Sequence, residues 1–214
     1  MTELYDYKEE LNSKKFVLFI KRLFDVCASF FGLLFLFIPL VVVSVLIKCT
    51  SKGPIFFRQV RVGRNGKEFR IYKFRTMVVD AEKKGLQITT KDDNRITKIG
   101  SFLRKTKLDE FPQLINVLIG EMSFVGPRPE VPKYVALYSD VQKNVLLVRP
   151  GITELASIKY RDENEMLKSS ENPEDTYIKE IMPKKIEYNL EYIKNISPFY
   201  DLKLIFMTFG VLFK

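Results

Sequence analysis

The 214-residue sequence contains no histidine. Because a histidine base activates the nucleophile in Ser-His and Cys-His enzymes, its absence excludes both kinds of catalysis. The sequence has two cysteines, Cys27 and Cys49, and they lack the spacing of metal ligands. They therefore give no support to a zinc site, and we expect both to be reduced residues that pack near a membrane.

The usual nucleotide-binding fingerprints are also absent. Neither GxxxxGK[ST] nor GxGxxG occurs in the chain, so the sequence supports neither a P-loop nor a Rossmann nucleotide site. Any catalysis must therefore depend on aspartate, glutamate, lysine, arginine or tyrosine side chains, or on a divalent cation.

Residues 26–47 carry no charge at all. A membrane-spanning helix needs roughly 20 apolar residues, so this run is long enough to cross a bilayer. Basic residues lie on both sides, with Lys21 and Arg22 before the run and Lys48 after it, whereas a simple span collects them on the cytoplasmic side only. Near the middle, Pro39 should bend or break a helix.

These features predict a re-entrant helix over residues 18–50, which enters one leaflet, turns at Ile38 and Pro39, and leaves on the cytoplasmic side. A plain transmembrane helix and a buried core helix are the alternatives. The predicted domains are an N-terminal tail at 1–17, the re-entrant helix at 18–50, and a cytoplasmic, membrane-surface catalytic domain at 51–214.

The formal net charge is +9, which indicates an anionic partner such as nucleic acid, anionic lipid or a phosphorylated substrate. The basic residues are spread along the chain and follow a membrane segment, which favours lipid and phosphate over nucleic acid. Two functions remain as alternatives to an enzyme. One is a membrane-anchored scaffold that binds anionic lipid, and the other is a basic nucleic-acid-binding protein.

The pattern beyond the apolar run predicts an α+β fold that is mostly α, a small helical domain with one β-hairpin. Asn65-Gly66 predicts the hairpin turn. Around this turn we expect strands at 55–62 and 68–77. Helices are predicted at 95–107, 109–119, 131–148, 177–195 with an interruption near Pro183, and 201–213. Loops are predicted at 79–93 and 163–175. The last helix is either part of the core or a second membrane-surface helix.

Asp109 and Glu110 open the helix predicted at 109–119. Acidic residues at this position are commonly caps. The free N–H groups and nearby cations would also stabilise an ionised carboxylate. An ionised aspartate can attack phosphorus, and two carboxylates beside a phosphate can hold a magnesium ion (Mg²⁺). The sequence therefore permits a structural and a catalytic interpretation.

Several basic residues occupy constrained places. Lys73 and Arg75 should share one face of a strand, Arg128 lies between two prolines, and Arg149 precedes Pro150-Gly151. The planar guanidinium matches a phosphate because it donates two hydrogen bonds at once. Each of these side chains alone could be a solvated charge, but their occurrence with a carboxylate pair and a membrane segment favours phosphate chemistry.

Six motifs occur in order along the chain, at residues 71–77, 108–114, 116–118, 122–129, 148–153 and 201–203. On these motifs the chain resembles the bacterial sugar transferases, specifically the small monotopic phosphoglycosyl transferases, from about Lys21 to its C-terminus. The resemblance implies transfer of a sugar-1-phosphate from a UDP-sugar to polyprenyl phosphate, typically undecaprenyl phosphate, with release of UMP. This would be the first membrane step of glycoconjugate assembly.

The resemblance also implies roles for particular residues. Asp109 would be the nucleophile that carries the phospho-sugar and would lie beside Mg²⁺, and Glu110 would orient the site or handle the acceptor's proton. The implied substrate-binding residues are Lys73, Arg104, Arg128, Arg161 and Asp201. The enzyme would lie at the cytoplasmic face of the bacterial inner membrane, with downstream glycosyltransferases as candidate partners and no role for nucleic acid.

The chain departs from the family pattern in three places. Glu154 stands where the family often has glycine, and Lys159-Tyr160-Arg161 replaces the usual Asn-Gly-Arg. The membrane break, often Ser-Pro in the family, is Ile38-Pro39 here, which removes one hydrogen-bonding partner for the carbonyls that a break frees.

Overall fold

The structure is a computed structural model that describes residues 6–79, 81, 93–160, 163–168 and 170–212. Helices dominate it, with three short pairs of strands, which confirms the α+β, mostly α class. Most of the loop predicted at 79–93 lies outside the described residues, as does Arg161.

Three helices form the N-terminal part: α1 (Tyr7–Ser13), α2 (Lys15–Phe35) and α3 (Phe37–Thr50). The break predicted at Ile38 and Pro39 lies earlier, at Leu36, between α2 and α3. Pro39 explains the position, because proline has no N–H to donate to the carbonyl four residues before it and its ring crowds that carbonyl. That carbonyl belongs to Phe35, the last residue of α2.

Within the described ranges, no helix taken singly has both the length and the hydropathy for a membrane crossing. Helices α2 and α3 meet both conditions only as a pair, and they are bent by 61° relative to each other.

The predicted hairpin is confirmed, with shorter strands than expected. It consists of β1 (Phe56–Phe57), β2 (Val60–Val62), β3 (Glu68–Arg70) and β4 (Lys73–Phe74). One antiparallel register runs through both pairs, since Phe56 pairs with Phe74 and Val60 with Arg70. Asn65 and Gly66 have φ angles of 57° and 74°, the left-handed conformation that asparagine and glycine adopt most readily.

The single helix predicted at 109–119 is wrong. After α4 (Lys98–Lys105), a 3₁₀ turn covers Leu108–Glu110, and α5 (Gln113–Ile119) follows. One residue explains each of the two breaks, between α4 and the 3₁₀ turn and between the 3₁₀ turn and α5. Lys107 has a left-handed φ of 58°, and Pro112 has no N–H with which to continue an α-helical ladder. Asp109 and Glu110 therefore lie in a turn rather than at the start of a helix.

The amphipathic helix predicted at 131–148 is also wrong. The structure has strand β5 (Ser123–Val125), then α6 (Pro132–Val135), and a 3₁₀ helix only at Gln142–Leu147. Between them, Ser139 N donates to Gln142 Oε1 at 2.9 Å and Gln142 N donates to Ser139 Oγ at 3.3 Å. Such side-chain bonds to the backbone compete with helical ones and interrupt the helix.

The C-terminal part begins with β6 (Gly151–Thr153), which pairs in parallel with β5. Helices α7 (Leu155–Lys159), α8 (Glu163–Lys168), α9 (Pro173–Thr176), α10 (Met182–Lys194) and α11 (Pro198–Leu212) follow. The loop predicted at 163–175 thus contains two short helices. The interruption predicted near Pro183 is confirmed as a π turn at Tyr177–Ile181, placed where proline removes a backbone donor.

Helix α11 has two different faces. Leu204 is fully buried, whereas Phe199 and Phe206 are 86% and 71% exposed. The core-packing interpretation of this helix therefore holds for one face, and the membrane-surface interpretation of the other face stays a prediction.

Two small apolar clusters fix the hairpin in the fold. Ile47, Phe74 and Leu103 join α3, β4 and α4, and a second cluster, which includes Ile71 and Val117, joins the hairpin to α5. The hairpin is thus packed on both sides, which holds Lys73 of β4 in place beside the 3₁₀ turn.

Candidate active site

The 3₁₀ turn at Leu108–Glu110 packs against β4 and α4. It carries Asp109, which is only 7% exposed. The Oδ1 atom of Asp109 is buried and has no hydrogen-bond partner among the described residues. A buried polar atom without a partner is costly, so its presence in a native fold calls for an explanation.

Glu110, next in the chain, is the acceptor that two cations share. Lys73 Nζ and Arg128 NH2 each lie 2.7 Å from Glu110 Oε1. Burial would favour the neutral acid, but these two charges outweigh it and hold the pKa of Glu110 well below its ordinary value. The same carboxylate raises the pKa of Arg128. Glu110 is therefore a fixed anion that sets the positions of two cations.

The pKa of Asp109 is shifted in the opposite direction, above its ordinary value. Burial raises its pKa, and the charge of Glu110 raises it further, while Lys73, Lys107 and Arg104 offset part of this effect. The sequence predicted that free N–H groups and nearby cations stabilise an ionised carboxylate. The cations do so for Glu110, and its side-chain partners in the described part of the chain are Lys73 and Arg128 rather than backbone N–H groups. The two adjacent carboxylates thus have different environments, which shift their pKa values in opposite directions.

Arg104 reaches the site from α4. Its Nε donates to Thr76 Oγ1 at 2.9 Å, and its charge acts on Asp109. Gly100 makes this packing possible, because a Cβ atom there would lie 2.0 Å from the Thr76 carbonyl oxygen. Thr76 belongs to the motif at 71–77, but no role for it was predicted from the sequence.

Arg128 is held at its backbone as well as at its side chain. Its N–H donates to Glu154 Oε2 at 3.0 Å, and Glu154 is only 2% exposed. Asn189 Nδ2 and Ser157 Oγ donate to the same carboxylate, at 3.2 and 2.6 Å. The glutamate that departs from the family pattern is therefore the buried acceptor behind Arg128, a role that the sequence did not reveal.

Asn116 connects the hairpin to α5. Its Oδ1 accepts from Tyr72 N at 2.8 Å and its Nδ2 donates to Arg70 O at 3.1 Å. These bonds flank the start of β4 and so align Lys73. The motif at 116–118 was the signal for this residue, although the sequence did not show what it binds.

Asp201 is not brought together with the other predicted site residues. Lys21 Nζ lies 2.5 Å from its Oδ2 and Tyr192 OH donates to its Oδ1 at 2.8 Å. Lys73, Arg104, Arg128, Asp109 and Glu110 meet around the 3₁₀ turn, whereas Asp201 joins α11 to α2 and α10.

Among the residues that the structure describes, no three histidine, cysteine, aspartate or glutamate side chains are grouped as metal ligands. Mg²⁺ does not require such a cage, because proteins hold it with one or two carboxylates while substrate phosphates and waters complete the shell. The unpaired Asp109 Oδ1 is an oxygen ligand of the right kind. The residues present therefore fit Mg²⁺ bound together with a phosphorylated substrate.

Comparison with known proteins gives a consistent set of relatives. A UDP-glucose:undecaprenyl-phosphate glucose-1-phosphate transferase of Klebsiella pneumoniae is 44% identical over 193 residues, which cover 88% of this chain and 39% of that protein. A UDP-N-acetylgalactosamine-undecaprenyl-phosphate N-acetylgalactosaminephosphotransferase of Aeromonas hydrophila is 39% identical over 194 residues, 89% of this chain and 43% of that protein. This chain thus spans about two fifths of the length of these two relatives.

Another relative has nearly the same extent as this chain. The exopolysaccharide production protein PSS of Rhizobium leguminosarum bv. phaseoli is 39% identical over 200 residues, 89% of this chain and 94% of that protein. The family model described as bacterial sugar transferase matches residues 16–214. The chain therefore belongs to the bacterial sugar transferase family.

Proposed function

We propose that this protein transfers a sugar-1-phosphate from a UDP-sugar to undecaprenyl phosphate or a similar polyprenyl phosphate, with release of UMP. Relatives named for this activity support the reaction class. The observation that carries the proposal is the buried Asp109 carboxylate, one oxygen of which has no hydrogen-bond partner among the described residues, placed beside the ion pairs of Lys73, Glu110 and Arg128.

The proposed reaction has two steps at one phosphorus atom. A carboxylate oxygen of Asp109 attacks the phosphorus that bears the sugar, and the bond from this phosphorus to the bridging oxygen breaks, so that UMP leaves with the electron pair. An oxygen of the lipid phosphate then attacks the same phosphorus, and the bond to Asp109 breaks. The carboxylate is regenerated, and the product is a polyprenyl diphosphate-linked sugar.

Phosphoryl transfer depends mainly on positioning and on neutralising charge. Lys73 and Arg104 act on Asp109 directly. Arg128 pairs with the adjacent Glu110, so three cations lie around the Asp109–Glu110 pair. A phosphate monoester has a second pKa near 6, so the lipid acceptor can attack as a dianion without losing a proton. We therefore assign Glu110 to orienting Lys73 and Arg128 rather than to proton transfer.

Mg²⁺ is part of this proposal, with Asp109 as its protein ligand. When bound, it would neutralise charge on the diphosphate oxygens. The residues of the chain retain their own tasks: Asp109 supplies the nucleophile, Glu110 holds the cations, and Glu154 fixes the backbone at Arg128.

We also propose that α2 and α3 form a re-entrant hairpin in one leaflet, at the cytoplasmic face of the bacterial inner membrane. The apolar surface around the bend supports this, because Phe35, Phe37 and Ile38 are 84%, 64% and 72% exposed. Large exposed apolar patches typically mark membrane or protein contacts. Downstream glycosyltransferases would then take the lipid-linked product at the same surface.

A trapping experiment tests the reaction. The purified protein in detergent, with Mg²⁺ and a panel of UDP-sugars but no lipid acceptor, should show the mass of one phospho-sugar on the peptide that contains Asp109. Asp109→Asn should remain unmodified, whereas Asp140→Asn, a change at an exposed aspartate, should be modified like the wild type. An unmodified wild-type peptide under conditions of proven turnover would contradict the covalent mechanism.

Cysteine labelling tests the topology. Both native cysteines are exposed, so they are first replaced by serine. New cysteines at Lys8 and Lys52, which flank the α2–α3 pair, should both react with an impermeant reagent from the cytoplasmic side. Labelling from opposite sides would show a plain span instead.

A further inference from the structure

A second charged cavity lies apart from the 3₁₀ turn. It has a volume of about 160 Å³ and is formed by the first part of α2, the hairpin turn and the segment before β6. Five basic side chains line it: Lys15, Lys21, Arg22, Arg64 and Arg149. Asp109, Glu110, Lys73 and Arg128 are not part of its lining, so the cavity is separate from the candidate active site.

Backbone carbonyls hold the three arginine guanidinium groups of this cavity in place. Arg22 donates to two carbonyls at the end of α5, at 2.7 and 3.0 Å, where the helix dipole is negative. Arg149 Nε donates to Gly120 O at 2.9 Å, and Arg64 Nε donates to Leu147 O at 3.2 Å. Among the described residues, Arg64 and Arg149 therefore engage the protein through Nε, and their terminal nitrogens can serve a ligand.

The cations are close enough to disfavour one another. Burial lowers the pKa of Arg149, and the charges of Arg22 and Arg64 lower it further. Among the described residues that line the cavity, Asp25 is the one acidic side chain, and its Oδ1 already accepts the Phe124 N–H at 3.0 Å. Asp201, outside the lining, pairs with Lys21. Basic charge thus exceeds acidic charge here, and a bound anion would relieve the repulsion.

Ser123 supplies an independent observation. It lines the same cavity and is fully buried, and its hydroxyl has no hydrogen-bond partner among the described residues. A hydroxyl in this position can donate to a ligand oxygen, which would satisfy an otherwise unpaired buried group.

We infer that this cavity binds a phosphate group. Guanidinium forks beside a hydroxyl donor suit a phosphate oxygen set. The phosphate can belong to a lipid head group or can be free in solution. Three of the basic residues, Lys15, Lys21 and Arg22, precede the uncharged run at 26–47. If that run is inserted as proposed above, the cavity lies at the level of the lipid head groups. The lipid source therefore rests on the proposed function.

The test compares matched variants by thermal unfolding in non-ionic detergent, with sodium phosphate against sodium chloride at equal ionic strength. Phosphate should raise the Tm of the wild type. Arg64→Gln should lose at least half of this shift, whereas Arg70→Gln, at an exposed arginine of the same hairpin, should keep it. Any phosphate bound at the active site contributes equally to both variants, so their difference reports on the cavity.

Ser123→Ala separates ligand binding from a structural role. Without phosphate its Tm should equal or exceed that of the wild type, because the substitution removes an unpaired buried hydroxyl. With phosphate it should lose at least half of the wild-type shift. If Arg64→Gln and Ser123→Ala both keep the full shift, the inference is overturned.

Vesicle flotation distinguishes the two phosphate sources. A lipid source predicts that Arg64→Gln binds phosphatidylglycerol vesicles more weakly than Arg70→Gln, with equal binding to phosphatidylcholine. A free-phosphate source predicts that the two variants differ in their phosphate-induced Tm shift but float equally well on each kind of vesicle. UMP release without added phosphate should be unchanged in Arg64→Gln, so a failure of the transferase proposal would appear in a different assay.

Discussion

Asp109 and Asp201 are buried to nearly the same degree, 7% and 6% exposed, and burial raises the pKa of both. They differ in their partners. Both oxygens of Asp201 are engaged, by Lys21 and Tyr192, whereas Oδ1 of Asp109 has no partner in the described part of the chain. Burial and a raised pKa are therefore common to both aspartates, and among the described residues the two differ in whether both carboxylate oxygens have a partner.

The surroundings of the two aspartates carry the same distinction. Around Asp109, the cations from β4, α4 and the Pro127–Pro129 segment are held by other groups, chiefly Glu110 and Thr76. They are in place before a substrate arrives, which is the preorganisation that catalysis of phosphoryl transfer requires. Around Asp201, the cation and the hydroxyl are held by the aspartate itself, so this cluster joins helices.

The largest effect is expected for Asp109→Asn, which tests whether Asp109 differs from Asp201 in function. The amide keeps the shape of the side chain but is a poor nucleophile, so UMP release should fall by about 10³-fold or more. Initial rates with a UDP-sugar, Mg²⁺ and polyprenyl phosphate measure the effect. Rates equal to those of Asp140→Asn would show that Asp109 is not the nucleophile.

Asp201→Asn should have its main effect on stability. The substitution leaves the buried Lys21 ammonium without its counter-charge, and breaking a buried ion pair typically costs about 3–5 kcal/mol of unfolding free energy. Chemical denaturation in detergent measures this cost. UMP release should then be compared per folded molecule, and a large loss there would return Asp201 to the substrate-binding residues that the family resemblance implies.

Glu110→Gln tests whether the charge of Glu110 positions Lys73 and Arg128. The neutral amide no longer holds Lys73 and Arg128 by charge, and a misplaced catalytic group can cost about 10²-fold in rate. We expect kcat/KM for the UDP-sugar to fall by about this amount.

The pH profile of Glu110→Gln separates its two possible roles. The acid limb of the profile should remain and move to lower pH, because the charge of Glu110 raises the pKa of Asp109. Loss of the acid limb would instead assign proton transfer to Glu110.

The parts of the fold that follow from local chemistry could be predicted from the sequence. Asn65-Gly66 identified the hairpin because those two residues suit left-handed turn positions. Pro39 identified the bend, with an error of three residues because proline acts on the carbonyl of the preceding turn. These features need no knowledge of the rest of the chain.

The parts that depend on distant contacts could not be predicted. The apolar spacing at 131–148 suggested a helix because the buried positions, among them Val131, Tyr138 and Val145, recur at helical intervals. In the structure Val131 precedes α6, Tyr138 lies between α6 and the 3₁₀ helix, and Val145 lies in the 3₁₀ helix. The motifs placed Lys73, Glu110 and Arg128 in one site, but only the fold shows that one carboxylate oxygen binds both cations.

The smallest predicted effect concerns Lys107, which is exposed and precedes the turn that carries Asp109. Its charge lowers the pKa of Asp109, and asparagine tolerates the left-handed φ of 58° at this position. Lys107→Asn should therefore raise the pKa of Asp109. Because the ionised carboxylate is the reactive form, the acid limb of kcat/KM should move to higher pH, the opposite of the shift expected for Glu110→Gln.

The shift for Lys107→Asn should be smaller than that for Glu110→Gln, because Glu110 acts more strongly on Asp109. Lys105→Gln is the matched control, since it removes an exposed charge of α4, whereas the charges that act most strongly on Asp109 are those of Lys73, Glu110, Lys107 and Arg104. If the two lysine variants have the same profile as the wild type while Glu110→Gln shifts, the acid limb reports the ion-pair cluster rather than Asp109. Opposite shifts for Lys107→Asn and Glu110→Gln would assign the limb to Asp109, because both charges act on the pKa of its carboxylate, with opposite sign.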